Sequence, residues 1–229
     1  MADIVVEMES ERAFELLAAG DVGGAVATIT AMGDSQAAME ALAQLCRRAY
    51  RELTSVPAMV AVAWEAIGFG LRCAAAAPDA EVAARYQSSA RAIAYNAGAN
   101  CWPGWGDAVE IRPEDIAEGL KLAERCYELV GELGLGEKAI GTSLWLVGAM
   151  EMAAGRQGEA IARFRNAEAA FLAAKLPAQE AMARGYAALA GKLPESLDAV
   201  LVELRAMDSE EAQFFANQLA TAERIFAAR

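Results

Sequence analysis

Residues 147–167 read VGAMEMAAGRQGEAIARFRNA, and this stretch decides the fold. Two runs of strong helix formers meet at Gly155, which predicts one helix over about 137–154 and a second over about 157–175. Helices joined by so short a link have to pack antiparallel, as a hairpin.

The same pattern continues in both directions. Upstream, a helix over 7–19 carries Phe14, Leu16 and Leu17 and stops at Gly20, and Asp21 caps a second with Val22, Ala25, Ile29 and Met32. Gly33-Asp34-Ser35 opens a third over 36–53, where Met39, Leu42, Leu45, Cys46 and Tyr50 recur at steps of three and four. Pro57 suits the first turn of a fourth helix and Pro78 ends it; a fifth runs over 79–97 with Val82, Tyr86, Ala90, Ile93 and Ala94 on one face. Pro113-Glu114-Asp115 starts a sixth, with Ile116, Leu120, Ala123, Tyr127 and Val130 on one face. Beyond the opening stretch, helices are expected over 178–191, 195–207 and 209–228. That makes about eleven helices in a single all-α domain over 1–229, with one irregular segment at 98–112, GANCWPGWGDAVEIR.

The hairpin at 147–167 resembles the tetratricopeptide repeat. Val147 and Gly148 stand at the small pair of its first helix, Gly155 at its turn, and Ala160, Phe164 and Ala167 at the small, aromatic and small positions of its second. Small residues at Gly148 and Ala160 let two helices approach closely, and Phe164 fills the gap toward the next hairpin. The family's first-helix aromatic is Glu151 here, and the closing proline comes at Pro177. An echo lies at LLAAGDVGGAVATI, where Gly20 and Ala25 repeat the spacing of Gly155 and Ala160, although glycines are missing near 54, 88 and 122. The resemblance implies hairpins stacked as an α-solenoid, against a compact irregular bundle. It also implies a protein-binding scaffold with a concave groove, and it brings no catalytic residues.

Composition narrows the function. Asp and Glu outnumber Lys and Arg by 32 to 20, a formal net charge of −12, which disfavours nucleic acid and anionic membrane as partners. There is no histidine, which excludes Ser-His-Asp and Cys-His nucleophiles and the usual zinc sites. No metal or cofactor is expected, and an enzyme is disfavoured. Cys46, Cys73, Cys101 and Cys126 are widely spaced, and the start lacks a basic-then-apolar leader, so reduced thiols in a cytoplasmic protein are expected. The apolar stretch 56–77 has the length of a membrane span, but Glu65 and Arg72 interrupt it, and a helix among helices accounts for it better.

Two places stand out as candidate sites. In NAGANCWPGWGD, Trp102 and Trp105 flank Pro103-Gly104, with Asn96, Asn100 and Asp107 nearby. The segment is either a recognition loop or a plug over the end of a hairpin, and the general burial of Trp favours the plug. Cys101 has no neighbouring cation to activate it and reads as a structural thiol. Glu65 is the ionisable group set in the most apolar helix; it is either buried and perturbed or ion-paired and outward, the second being the commoner outcome.

The leading function is therefore a non-catalytic module binding a protein or peptide between hairpins. One alternative is a small-molecule-binding protein or enzyme with a pocket near Glu65, Tyr95 and the two tryptophans. Another is a self-assembling structural protein, in which the C-terminal helix, bearing Phe214, Phe215, Leu219 and Phe226, either caps the stack or meets a second copy.

Overall fold

The computed structural model describes the backbone of residues 2–227 and the side chains of 6–227. Eleven α-helices fill it: α1 Ala2–Ala18, α2 Val22–Thr30, α3 Ser35–Arg51, α4 Val56–Ala75, α5 Ala80–Asn100, α6 Pro113–Glu132, α7 Glu137–Ala153, α8 Gln157–Ala173, α9 Pro177–Ala190, α10 Pro194–Ala206 and α11 Glu210–Ala227. A 3₁₀ turn, Pro103–Trp105, lies between α5 and α6, and no strand occurs among the described residues.

Local chemistry sets the helix ends. Asp21, Asp34 and Asp79 accept from backbone N–H groups in the first turns of α2, α3 and α5, and Ser55 does the same for α4. Pro57, Pro113, Pro177 and Pro194 occupy first-turn positions where no N–H is needed. Gly20, Gly33, Gly134 and Gly155 end helices in the left-handed region. Thr54, Lys175 and Lys192 adopt the same conformation without being glycine. Each is followed by a residue whose N–H bonds back into the last turn: Ser55 to Ala49, Leu176 to Phe171 and Leu193 to Ala188, all at 3.0 Å. A glycine near 54 is thus unnecessary, because Thr54 takes its place.

One expectation is corrected. The irregular segment does not begin at Gly98, since α5 continues through it to Asn100. Gly98 packs within helix α5 against α6, where a Cβ would stand 3.3 Å from the Gly119 carbonyl oxygen and the Ala123 nitrogen. Here glycine serves close approach and does not break the helix.

Each helix packs on its successor, and the odd helices also pack in a row, α1 on α3, α3 on α5, α5 on α7, α7 on α9 and α9 on α11. On the other side α2 meets α4, and α4 meets α6. Trp64 ties α4 to α6 by donating its indole N–H to Glu118 at 3.1 Å. Helix α4, long and apolar enough to span a bilayer by length and composition, packs against α2, α3, α5 and α6.

The opening stretch behaves as its small residues predict. A Cβ on Gly148 would touch the Phe164 ring at 3.0 Å, Ala160 is fully buried, and Phe164 stacks on Tyr186 of α9 at 5.4 Å. Burying a phenylalanine to this degree contributes about 1.5–3 kcal/mol. Glu151 is buried on the same helix, with one oxygen 3.4 Å from Arg163 and the other without a partner. Burial pushes its carboxyl upward, partly offset by Arg163.

Candidate functional site

The segment after α5 builds a site through its turn chemistry. Cys101 and Trp102 extend the helix end by donating to Gly98 and Ala99 at 3.1 and 3.0 Å, and Pro103 then starts the 3₁₀ turn. Gly106, left-handed at φ 75°, ends it. Trp105 fastens the turn from outside, its indole N–H donating to the Ala99 carbonyl at 2.7 Å.

Trp102 turns inward and is 1% exposed. Its ring lies across Gly104, where a Cβ would fall 2.2 Å from the indole, so only glycine lets the chain double back here. Around it stand Trp105 at 5.0 Å, Trp145 of α7 and Tyr186 of α9 at 5.7 Å, and Phe226 of α11 at 6.2 Å. Most of these pairs are edge-to-face, the favoured aromatic geometry. The indole N–H groups of Trp102 and Trp145 and the Tyr186 hydroxyl are buried without an oxygen or nitrogen partner. Edge-on-face packing offers such groups the ring clouds instead. Burial holds the Tyr186 hydroxyl well above its ordinary pKa.

Beside this cluster lies a cleft of about 160 Å³. Its aromatic lining comes from Tyr95 of α5, Trp105, Trp145 of α7, Phe171 of α8, and Phe214 and Phe215 of α11. Phe214 is 57% exposed and packs edge-on against Phe215 at 5.7 Å. Polar groups are few. Gln179 of α9 donates to Glu211 of α11 at 2.7 Å, Gln218 of α11 has a buried side-chain oxygen with no partner, and Lys138 and Thr142 lie on α7. An apolar hollow with a few placed polar groups is the general form of a ligand site.

The candidate residues therefore separate. Tyr95 and Trp105 line the cleft, and burial pushes the Tyr95 hydroxyl up to about 12. Trp102 is core, the plug of the two readings, and is not a recognition surface. Asp107 anchors its loop to α3 by accepting from the Tyr50 hydroxyl at 2.8 Å, and Asn100 sets its amide 3.5 Å from the Met59 sulfur. Asn96 is exposed. The alternative of a pocket near Glu65 is corrected: Glu65 takes the outward one of its two readings, exposed on α4 and outside the cleft's lining, because the buried face of that helix belongs to Met59, Val62, Ala63 and Ala66. Trp145, Phe171, Gln179, Met182 and Gln218 were not legible as site residues. Trp145 sits in a run buried from Ser143 to Met152, where nothing in the local pattern marks it apart from its neighbours.

Cys101 is wholly buried, and burial pushes its thiol up to about 12, with Cys46 at about 12 and Cys126 at about 11. Cys73 is the partly exposed one. A thiol-reactive dye added to the native protein is expected to label Cys73 alone, and the other three only after denaturant. Prompt native labelling of Cys101, read by peptide mass mapping, would contradict its place in the core.

No protein-family model matches the chain, and no curated protein matches it. Among solved structures, a chain described as a computationally designed self-assembling cyclic homo-oligomer is 17% identical, with 100% of this chain and 94% of that chain covered at a TM-score of 0.32. A likeness that loose transfers neither arrangement nor assembly, so the geometry of the cleft has to carry the functional reading.

Proposed function

We propose that this chain is a non-catalytic partner-binding module, a helix-hairpin solenoid closed at one end by α11, which seats one side chain of a partner segment in the aromatic cleft. The observation that carries the reading is the cleft itself. Six aromatic side chains brought together from α5, α7, α8, α11 and the 3₁₀ turn line one hollow, and one of them, Phe214, is left largely exposed. Aromatic anchors filling small pockets supply most of the energy in many protein interfaces. The row of odd helices, each resting on the next, supports a solenoid, an architecture that offers extended partners a continuous face.

The small volume equally suits a small molecule, and one experiment separates the two. Peptides selected on the purified protein from a random library are expected to bind the wild type and to lose about tenfold or more in affinity to Phe214→Asp. Since Phe214 is already exposed, the variant should keep its fold, as circular dichroism can verify. Selected peptides that bind both proteins equally would move the site elsewhere. No peptides at all, with a small molecule raising the melting temperature, would favour the second reading.

A further inference from the structure

We infer that the side chain seated in the cleft is a lysine-like primary ammonium on an apolar stem; the inference rests on the partner-binding reading above. Three independent features converge on that chemistry.

The first is the lining. Trp and Tyr faces attract cations through their ring quadrupoles, and the effect grows as water is excluded. The second is a pair of acceptors on one face of α11. Gln179 occupies one oxygen of Glu211, while a carboxylate can accept about four hydrogen bonds. Two turns along, Gln218 is 8% exposed and its side-chain oxygen has no partner among the described residues, so it lacks an N–H or O–H donor. The terminal torsion of a glutamine is broad, so its amide can turn toward a ligand at little cost. A carboxylate would bring this acceptor nothing, and a quaternary ammonium has no N–H to give.

The third feature is size. A cleft of about 160 Å³ has room for the four methylenes and one nitrogen of a lysine side chain beyond Cα. Long basic side chains lay their stems along apolar surface and keep the charged head at polar groups. The chain's net charge of −12 also favours the approach of a basic segment.

Lys138 is the one cation in the lining among the described residues, and its place decides which end the ammonium takes. It borders the neighbouring cleft that holds Arg91 of α5, whereas Glu211 is bonded to Gln179 of α9. Helix α7 packs on both α5 and α9, so Lys138 is associated with the α5 side through that neighbouring cleft and Glu211 with the α9 side through its bond. The ammonium belongs at the α9–α11 side, with Lys138 weakly opposing it.

The test uses the whole protein and three small probes of one length: n-butylammonium, n-butanol and butyrate. Each is titrated while the indole N–H resonances of the tryptophans are followed by NMR. Butylammonium is expected to shift the Trp105 and Trp145 signals, leaving Trp64 still, with an affinity about tenfold above that of butanol. Glu211→Gln should remove most of that preference, and Lys138→Gln should raise butylammonium affinity about twofold. Both positions are exposed, so both variants should fold. Butanol or butyrate binding as well as butylammonium would overturn the ammonium assignment while leaving a side-chain pocket in place. If none of the three moves either signal, the cleft is no seat for a side chain, and the proposed function falls with it.

Discussion

Trp102→Ala is expected to lower the stability of this protein by about 3–5 kcal/mol, the range for removing a large aromatic from a packed core. The indole joins parts of the chain that local structure keeps separate: the turn after α5, Trp145 on α7, Tyr186 on α9 and Phe226 on α11. Truncation would leave a void bounded by rigid rings that cannot collapse into it, which places the cost toward the upper end. Domains are stable by about 5–15 kcal/mol in total, so this loss removes a large part of the margin. For a chain of this length each kcal/mol shifts the melting temperature by about 2–4 °C. Urea denaturation followed by circular dichroism would measure the change. Trp105→Ala is the comparison, because that ring is only partly buried and is held by one bond to Ala99. Should Trp105→Ala prove the more damaging of the two, Trp102 is not the plug described here.

Gly119→Ala is the second large effect, and its sign opposes what helix propensity alone would give. In the interior of α6 the change should stabilise by about 1 kcal/mol, since alanine is the better helix former. A Cβ at that position would, however, lie 2.4 Å from the Cys101 Cβ and 2.6 Å from the Met150 methyl. The methionine can swing aside. Cys101 cannot, because its Cβ is fixed to a backbone whose next residue is the buried Trp102. Overpacking of this kind typically costs about 1–3 kcal/mol, so a net loss is expected. Gly131→Ala supplies the control on the same helix, since among the described residues no atom of a neighbouring element lies within 4 Å of its added Cβ. That variant should be neutral or more stable by up to about 1 kcal/mol. Thermal melts of the two side by side decide the matter: Gly119→Ala matching or exceeding Gly131→Ala would show that α6 and the end of α5 do not meet as closely as described.

Much of the helical layout was legible because its causes are local. Asp21, Asp34 and Asp79 cap within three residues, prolines mark first turns, and apolar side chains repeat every three or four positions. Reading failed where one residue type serves two purposes. Gly98 looked like a stop and is a contact point. The error has a plain origin: the favourable term comes from helix α6, whose Gly119 and Ala123 lie far outside a window of ten residues around Gly98.

By itself, then, the sequence determined that the chain is helical, where most helices start and stop, and that Gly148, Ala160 and Phe164 make a tight hairpin joint. It also contained the reason for expecting Trp102 inside. What only tertiary structure decided is where the cleft lies. Helix α11 returns to the turn at 103–105 across about half of the chain, and that contact brings Gln218, Phe214 and Phe215 to Trp105, Trp145 and Tyr95. Hydrophobic attraction is not directional, so any apolar face could have covered Trp102. The stacking of each odd helix on the one before it settles which face does, and that accumulates over the whole row and is written in no single segment.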